Sequence, residues 1–273
     1  MGLLECRARG IFRKDGTSPY VGDVVEYQID VKGSGTVTGI LPRKNLLLRP
    51  PLANLDYMVV VLSVAGPQPN LYVTDKFLAV LEHKDIEPII VITKPDLADP
   101  EGVAEIYRDA GYPVHIVGTM TGTGIAELKE RLAGKLCAFS GNSGVGKSSL
   151  LNAIDPRFGI EVGEISRKLG RGRHTTRHVE LFPLDNGALI ADTPGFSSVE
   201  VPLLSAIRKE SLPWCFRDME AHLGGCRFTS CSHTKELGCA VLAALESGEL
   251  GKTRHDSYVQ LYNEVKDLNE WEK

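Results

Sequence analysis

Gly141-Asn142-Ser143-Gly144-Val145-Gly146-Lys147-Ser148 is the stretch that decides the fold. The apolar run Leu136-Cys137-Ala138-Phe139-Ser140 precedes it, and Ser148-Ser149-Leu150-Leu151-Asn152-Ala153-Ile154 follows as a helix start. Strand, glycine-rich loop and helix in that order form a phosphate cradle. The glycines let the backbone wrap an anion with successive N–H groups pointing inward, and the helix N-terminus adds its partial positive charge. Lys147 is expected to reach the β- and γ-phosphates and Ser148 to ligate Mg²⁺. Gly141, Asn142, Ser143, Gly144, Val145, Gly146, Lys147, Ser148 and Ser149 are the expected phosphate-binding set.

Two further motifs stand on either side. Downstream, Asp192-Thr193-Pro194-Gly195 ends the apolar run Ala188-Leu189-Ile190-Ala191. An Asp at a strand end can hold Mg²⁺ through water, and the Gly195 N–H can touch a γ-phosphate. Upstream, Thr93-Lys94-Pro95-Asp96 also ends an apolar run. The Asp96 carboxylate can accept two hydrogen bonds from the N1 and N2 edge of guanine, which adenine cannot supply, while the Lys94 stem packs along the base. An Asn usually opens this motif and ties the base reader to the phosphate loop; the Thr93 hydroxyl can make one of those bonds. Gly118-Thr119-Met120-Thr121-Gly122-Thr123-Gly124 stands where a second guanine contact is expected. In most GTPases the phosphate loop comes first and the base reader late. Here the order is inverted, which predicts a circularly permuted GTPase domain of α/β class.

Between phosphate loop and Asp192 lies Ser166-Arg167-Lys168-Leu169-Gly170-Arg171-Gly172-Arg173-His174-Thr175-Thr176-Arg177-His178. A segment here is expected to order around Mg²⁺ and γ-phosphate through Thr175 or Thr176, giving a nucleotide-dependent switch. The residue after Asp-x-x-Gly is Phe196, which cannot orient water by hydrogen bonding. His174 is the candidate for that role, since imidazole can hydrogen-bond water near neutral pH; a surface histidine without a catalytic part is the rival reading. Slow intrinsic turnover, accelerated by a partner, is expected.

The 273 residues, 42% hydrophobic and 24% charged, suit two or three small domains. The net charge of -4 carries no global signature of nucleic-acid binding, so any such case rests on local basic patches. No run approaches the ~18 apolar residues of a membrane span, and the first residues lack a signal-peptide pattern. A cytoplasmic monomer without membrane contact is expected. Residues 1–50 read as β-rich, with a strand around Val24 to Ile29, a turn at Lys32 to Gly35 and a strand at Thr36 to Leu41. Arg49-Pro50-Pro51 reads as a stiff linker. Residues 51–203 alternate apolar strands with helical stretches, the pattern of a parallel sheet covered by helices. Residues 204–273 are poor in strands and end in a helix carrying Tyr258, Leu261, Tyr262, Val265 and Leu268.

That last region holds Cys226-x4-Cys231-x-His233-x5-Cys239. Three thiols and an imidazole match one tetrahedral structural Zn²⁺ with no open position for catalysis. The ion would fix a module too small for a robust core of its own. Cys6, Cys137 and Cys215 read as small buried apolar residues.

Taken together, the chain resembles the ribosome small-subunit-dependent GTPase family of circularly permuted GTPases. The likeness rests on Gly22-Asp23, Arg43-Lys44-Asn45, Arg49-Pro50-Pro51, Asn54-Leu55-Asp56, the motifs above, Gly172 to Thr176 and the four metal ligands. It implies an N-terminal OB-type β-barrel (1–50), a permuted P-loop GTPase domain (51–203) and a mostly helical zinc-binding domain (204–273). It also implies GTP and GDP as ligands and the small ribosomal subunit with its rRNA as partner, with hydrolysis stimulated by the subunit in late maturation. In the family the barrel starts upstream of Glu5 to Gly10, so an incomplete barrel with an open edge is expected here. Arg43, Lys44, Arg171, Arg173 and Arg177 are candidates for rRNA phosphate contacts. The rival functions are a permuted GTPase of the large subunit and an RNA-binding module with GTP as a structural ligand. Asp96 argues against an ATPase.

Overall fold

The computed structural model describes residues 2–8, 10, 12, 17–31, 33–48, 51–160, 179–192 and 207–267, with Asp192 described by its backbone alone. At the N-terminus, β1 (Cys6–Ala8), β2 (Val25–Ile29) and β3 (Gly35–Ile40) form a three-stranded sheet with β3 central. β1 runs parallel to β3, and β2 runs antiparallel with a bulge between Glu26 and Tyr27. Gly35 lacks a Cβ because one would collide with Cys6 Sγ. Cys6 itself is exposed, contrary to the expectation of burial, because β1 is an edge strand with an outward face. Among the described residues these strands do not close into a barrel: β1 and β2 form two open edges, and β2 is exposed beyond Val25.

β4 (Leu46–Leu48) and β5 (Pro51–Ala53) form a hairpin. The expected linker is therefore corrected at Pro51, which pairs with Leu48; proline is tolerated as the first residue of a short strand. Leu47 and Leu52 sink into the core of the following sheet. Asn45 locks the hairpin there. Its Nδ2 donates to Leu55 O (2.8 Å) and Asp85 O (3.0 Å), and its Oδ1 accepts from Leu55 N (2.9 Å).

β6 (Tyr57–Ser63), β7 (Glu87–Thr93), β8 (Val114–Val117), β9 (Leu136–Ser140), β10 (Glu180–Pro183) and β11 (Leu189–Asp192) form the central sheet, in the order β10-β11-β9-β6-β7-β8. Neighbours are parallel except for β10, which pairs antiparallel with β11. The apolar runs follow from burial on both faces. Met58, Val60 and Leu62 turn to one side, against α1 (Leu71–His83) and α2 (Glu101–Asp109). Val59 and Val61 turn to the other, against α3 (Ile125–Leu132) and α4 (Lys147–Ile154). This period of two buries every side chain of the strand interior. Truncating one such residue to Ala costs about 2–5 kcal/mol through lost transfer energy and the cavity left behind.

β9 is fourth of these strands in sequence but lies between β6 and β11. The chain leaves β6 toward β7 on one side and β9 toward β11 on the other. A crevice opens at the carboxyl ends of strands where connections diverge in this way.

In the C-terminal region, short 3-10 turns at Leu212–Cys215 and Glu220–His222 precede α5 (Ala240–Ser247) and α6 (Lys252–Val265). Their core includes Phe216, Met219, Val241, Tyr258 and Leu261, and it takes Ala79 and Val80 from α1. The module thus completes its core with a helix of the neighbouring sheet. Arg254 of α6 is 2% exposed and pairs through Nη1 with Asp75 Oδ1 of α1 (2.6 Å), itself 1% exposed. Its Nε and Nη2 donate to Asp218, each at 3.0 Å. Burial raises the Asp75 carboxyl, opposed by the Arg254 charge.

Candidate functional site

The loop after β9 is shaped by its glycines. A Cβ on Gly141 would lie 2.6 Å from Val61 O, and Gly144 and Gly146 hold φ of +82° and +91°. Gly146 is the N-cap of α4 and makes no side-chain hydrogen bond, and a helix N-terminus of this kind can take an anion. Val145 is buried beside Leu150 and Ile154 and pins the loop to the core, while Asn142, Ser143 and Gly144 are exposed. Lys147 Nζ donates to Gly141 O (3.2 Å), folding the side chain across the cradle. Ser148 and Ser149 are half-buried in the first turn of α4.

The base-reading segment meets this loop because β7 lies one strand beyond β6 from β9, so both carboxyl ends open on one side of the sheet. Thr93 is buried, and its hydroxyl lies 2.6 Å from Val145 O and 3.0 Å from Leu62 O. Lys94, at φ +61°, donates through Nζ to Gly144 O (2.7 Å), Gly66 O (2.5 Å) and Ala65 O (3.1 Å). All three ammonium donors are thereby engaged, and the side chain ties its own loop to the 65–66 segment and to the phosphate loop. Asp96 sits exposed in the following turn, closed by Leu97 N donating to Lys94 O (3.0 Å). The 118–124 loop lies alongside: a Cβ on Gly118 would come within 3.7 Å of Pro95 Cγ. Gly118 N donates to Thr123 O (3.1 Å), and the hydroxyls of Thr121 and Thr123 are 2.9 Å apart.

Asp192 ends β11, paired through its backbone with Glu180. His174, Thr175, Thr176, Gly195, Phe196, Arg171, Arg173 and Arg177 lie outside the described residues. Beneath the phosphate loop runs a cleft that sequence reasoning missed. Gln68, Asn70, Val73 and Thr74 at the start of α1 face Gly141 and Asn142 across it. No motif marks these residues; only the sheet order brings α1 there.

The metal-ligand residues converge. One ligand atom each from Cys226, Cys231, His233 and Cys239 lies within 4.8 Å of every other. Cys226 Sγ is 3.8 Å from Cys239 Sγ, and His233 Nδ1 is 3.4 Å and 3.5 Å from the two sulfurs. A tetrahedral ion with bonds of about 2.3 Å to sulfur and about 2.05 Å to nitrogen needs edges of about 3.8 and 3.6 Å. The group fits a metal ion. Burial pushes the Cys231 thiol up to about 12 and raises Cys239, and it lowers His233 toward the neutral imidazole a metal takes. Glu236, which sequence reasoning missed, frames the loop by accepting from the amides of Ser232 (2.9 Å), Thr234 (3.1 Å) and Lys235 (3.1 Å) and from the Ser232 hydroxyl. Burial alone would raise its pKa; these hydrogen bonds hold it at about 2.

Cys137 and Cys215 are buried, and burial pushes each thiol up to about 12. Arg43 is engaged within the fold. Its Nε and Nη2 pair with Asp23 at 2.7 and 2.8 Å, Nη2 also donates to Ser18 O (2.9 Å), and the guanidinium covers the Tyr20 ring. Lys44 pairs with Asp56 (3.0 Å), whose other oxygen accepts from Leu136 N (2.9 Å) at the start of β9. Both candidates for rRNA contact therefore already hold parts of this chain together.

A family model described as RsgA GTPase matches residues 40–202, and one described as the RsgA N-terminal domain matches residues 1–37. The small ribosomal subunit biogenesis GTPase RsgA of Caldanaerobacter subterraneus subsp. tengcongensis is 44% identical over 269 residues, covering 97% of this chain and 90% of that one. The protein of the same name from Bacillus subtilis is 44% identical over 272 residues, with the same coverage of 97% and 90%. Among solved structures, YjeQ from Thermotoga maritima matches with a TM-score of 0.80 at 38% identity, covering 95% of this chain and 89% of that one. YloQ, described as a circularly permuted GTPase, matches with a TM-score of 0.80 at 40% identity over 97% and 87%. No helix among the described residues is long and apolar enough to cross a membrane.

Proposed function

The chain belongs to the RsgA GTPase family, and from that premise we propose that it hydrolyses GTP on the small ribosomal subunit during late maturation, stimulated by the subunit. The observation that carries the reading is the pair of bonds joining base reader to phosphate loop, Thr93 to Val145 and Lys94 to Gly144. They brace two loops that lie about fifty residues apart in sequence against each other. Asp96 reads the guanine edge, and the 118–124 loop closes its far side. The backbone of residues 141–149 binds the phosphates, and Lys147 moves from Gly141 O to the developing charge on the β–γ bridge. Mg²⁺, held through Ser148 and Asp192, neutralises charge on the same phosphates when bound. Thr175 or Thr176 orders the switch around it, and His174 orients water in the place that Phe196 cannot serve.

In this reading residues 1–50 form the OB-type unit, 51–203 the GTPase domain and 204–273 the metal module, in a cytoplasmic monomer. The ion is Zn²⁺, favoured by the three thiols and one imidazole at tetrahedral spacing. Arg171, Arg173 and Arg177 supply rRNA phosphate contacts, so subunit affinity falls steeply with salt. Arg43 and Lys44 act by holding the barrel strands and the start of β9 in place.

Multiple-turnover GTP hydrolysis with and without purified small subunits tests the proposal. Stimulation at low salt with Mg²⁺ is the expected result. Unchanged turnover would overturn it and favour a module that holds GTP as a structural ligand. Stimulation by large subunits alone would reassign the partner.

A further inference from the structure

We propose that α1 is a shared wall through which nucleotide and metal module are thermodynamically linked, with the buried Arg254–Asp75 pair as its joint. The proposal rests on the nucleotide reading above. One face of α1 lines the cleft at the phosphate loop, where Asn70, Val73, Thr74 and Phe77 look across to Gly141, Asn142 and Val145. The neighbouring face, offset around the same helical turns, is bonded to α6. The Tyr72 hydroxyl and Lys76 Nζ (2.6 Å) both donate to the Glu264 carboxylate, and Asp75 takes Arg254 at 2.6 Å. Residues three and four apart on a helix share a face; Thr74 lines the cleft, while Asp75, one residue on, reaches Arg254 of α6.

Beyond the joint the contacts continue to the metal ligands. His255, next in sequence to Arg254, donates from Nε2 to His233 O (2.8 Å). The Tyr258 hydroxyl, one turn on, donates to Ser232 O (2.8 Å). Helices transmit displacement because their backbone bonds are short-range and stiff, and a desolvated ion pair resists separation. A phosphate that draws the 141–146 loop inward changes the packing on Val73, Thr74 and Phe77. Any resulting tilt of α1 reaches α6 through Asp75 and Glu264. Linkage is reciprocal, so the state of the metal module must alter nucleotide affinity by the same factor.

Hydrogen exchange by mass spectrometry on the full, metal-loaded chain tests this, with no nucleotide, with GDP and with a non-hydrolysable GTP analogue. Amides of the phosphate loop (141–149) should be protected by either nucleotide. Amides of α6 (252–265) should change exchange rate at least threefold between nucleotide-free and bound states, with those of β2 and β3 unchanged. In Asp75→Asn the α6 response should shrink toward zero, and in Glu264→Ala, which leaves the Arg254–Asp75 joint in place, it should shrink by a smaller but measurable factor, while phosphate-loop protection remains in both. Glu264 is exposed, so that variant keeps the test alive if Asp75→Asn does not fold. An α6 that ignores nucleotide while the loop is protected overturns the proposal. So does a response matched in β2 and β3, or one undiminished in the variants. Absence of phosphate-loop protection would sink the nucleotide reading itself, and this proposal with it.

Discussion

The phosphate loop and the metal cluster are both short loops that lead into an eight-residue helix, α4 in one case and α5 in the other. They are held in different ways. The phosphate loop stands on the buried end of β9, is pinned by Val145, and is braced by Thr93 and Lys94 from β7. Its shape follows from the sheet on which it stands. Among the described residues, the metal loop has no strand next to it in sequence. It relies on Glu236 across its backbone, on α6 through His255 and Tyr258, and on four ligands gathered for an ion. A loop seated on a buried strand thus coexists with a module that completes its core with a neighbour's helix and gathers four side chains able to hold a metal ion.

The widest break between the two regions should come from metal removal. Structural zinc binding is folding free energy, of order 10 kcal/mol or more in small modules. Chelation, or Cys226→Ser, should melt α5 and α6 in hydrogen exchange while the central sheet stays protected and guanine nucleotide still binds, with the changed affinity that reciprocal linkage requires. Arg254→Ala comes next, because it leaves two buried carboxylates unpaired; breaking such a pair costs about 3–5 kcal/mol. Chemical denaturation should register that loss. Lys147→Ala should do the opposite, lowering GTP turnover by about 100- to 1,000-fold with the denaturation midpoint unchanged. Asp96→Asn should weaken guanine nucleotide by about 10- to 100-fold, as expected for loss of a charge-assisted pair; unchanged GDP affinity in a titration would mean the base is read elsewhere. The smallest effect concerns Glu236. Its folded pKa of about 2 lies below the ordinary carboxylate value, so its stabilisation is present above about pH 4.5 and fades as pH falls toward 2. Glu236→Gln should melt earlier than the parent protein at pH 6, and the gap should narrow in acid.

Much of this was legible before the fold. The β-branched runs of β6 and β7 read as strands covered on both faces, and the inverted motif order read as a circular permutation, while the strand order itself came only with the fold. The helix at Leu71 and the strand at Val114 begin where the apolar pattern begins. Other features were not legible. Pro51 reads locally as a stiff linker, yet pairing to Leu48 places it in a hairpin. Arg43 reads as a free cation, yet Asp23 captures it. β10 is a short edge strand whose four residues carry no marked pattern. The cleft wall formed by α1 carries no motif at all.

The sequence by itself determined the motifs and their order: the Gly-rich loop at 141–148, the Thr93–Asp96 segment upstream of it, the Cys/His set at 226–239 and the permuted arrangement that joins them. Motifs of this kind are local, and each is set by the residue types that a few adjacent backbone positions can accept. Only the tertiary structure decided that α1 both lines the cleft beside the 141–145 loop and packs on the C-terminal module, and that Arg254 is closed between Asp75 and Asp218. Those facts depend on contacts between residues distant in the chain, which packing selects and no local pattern records.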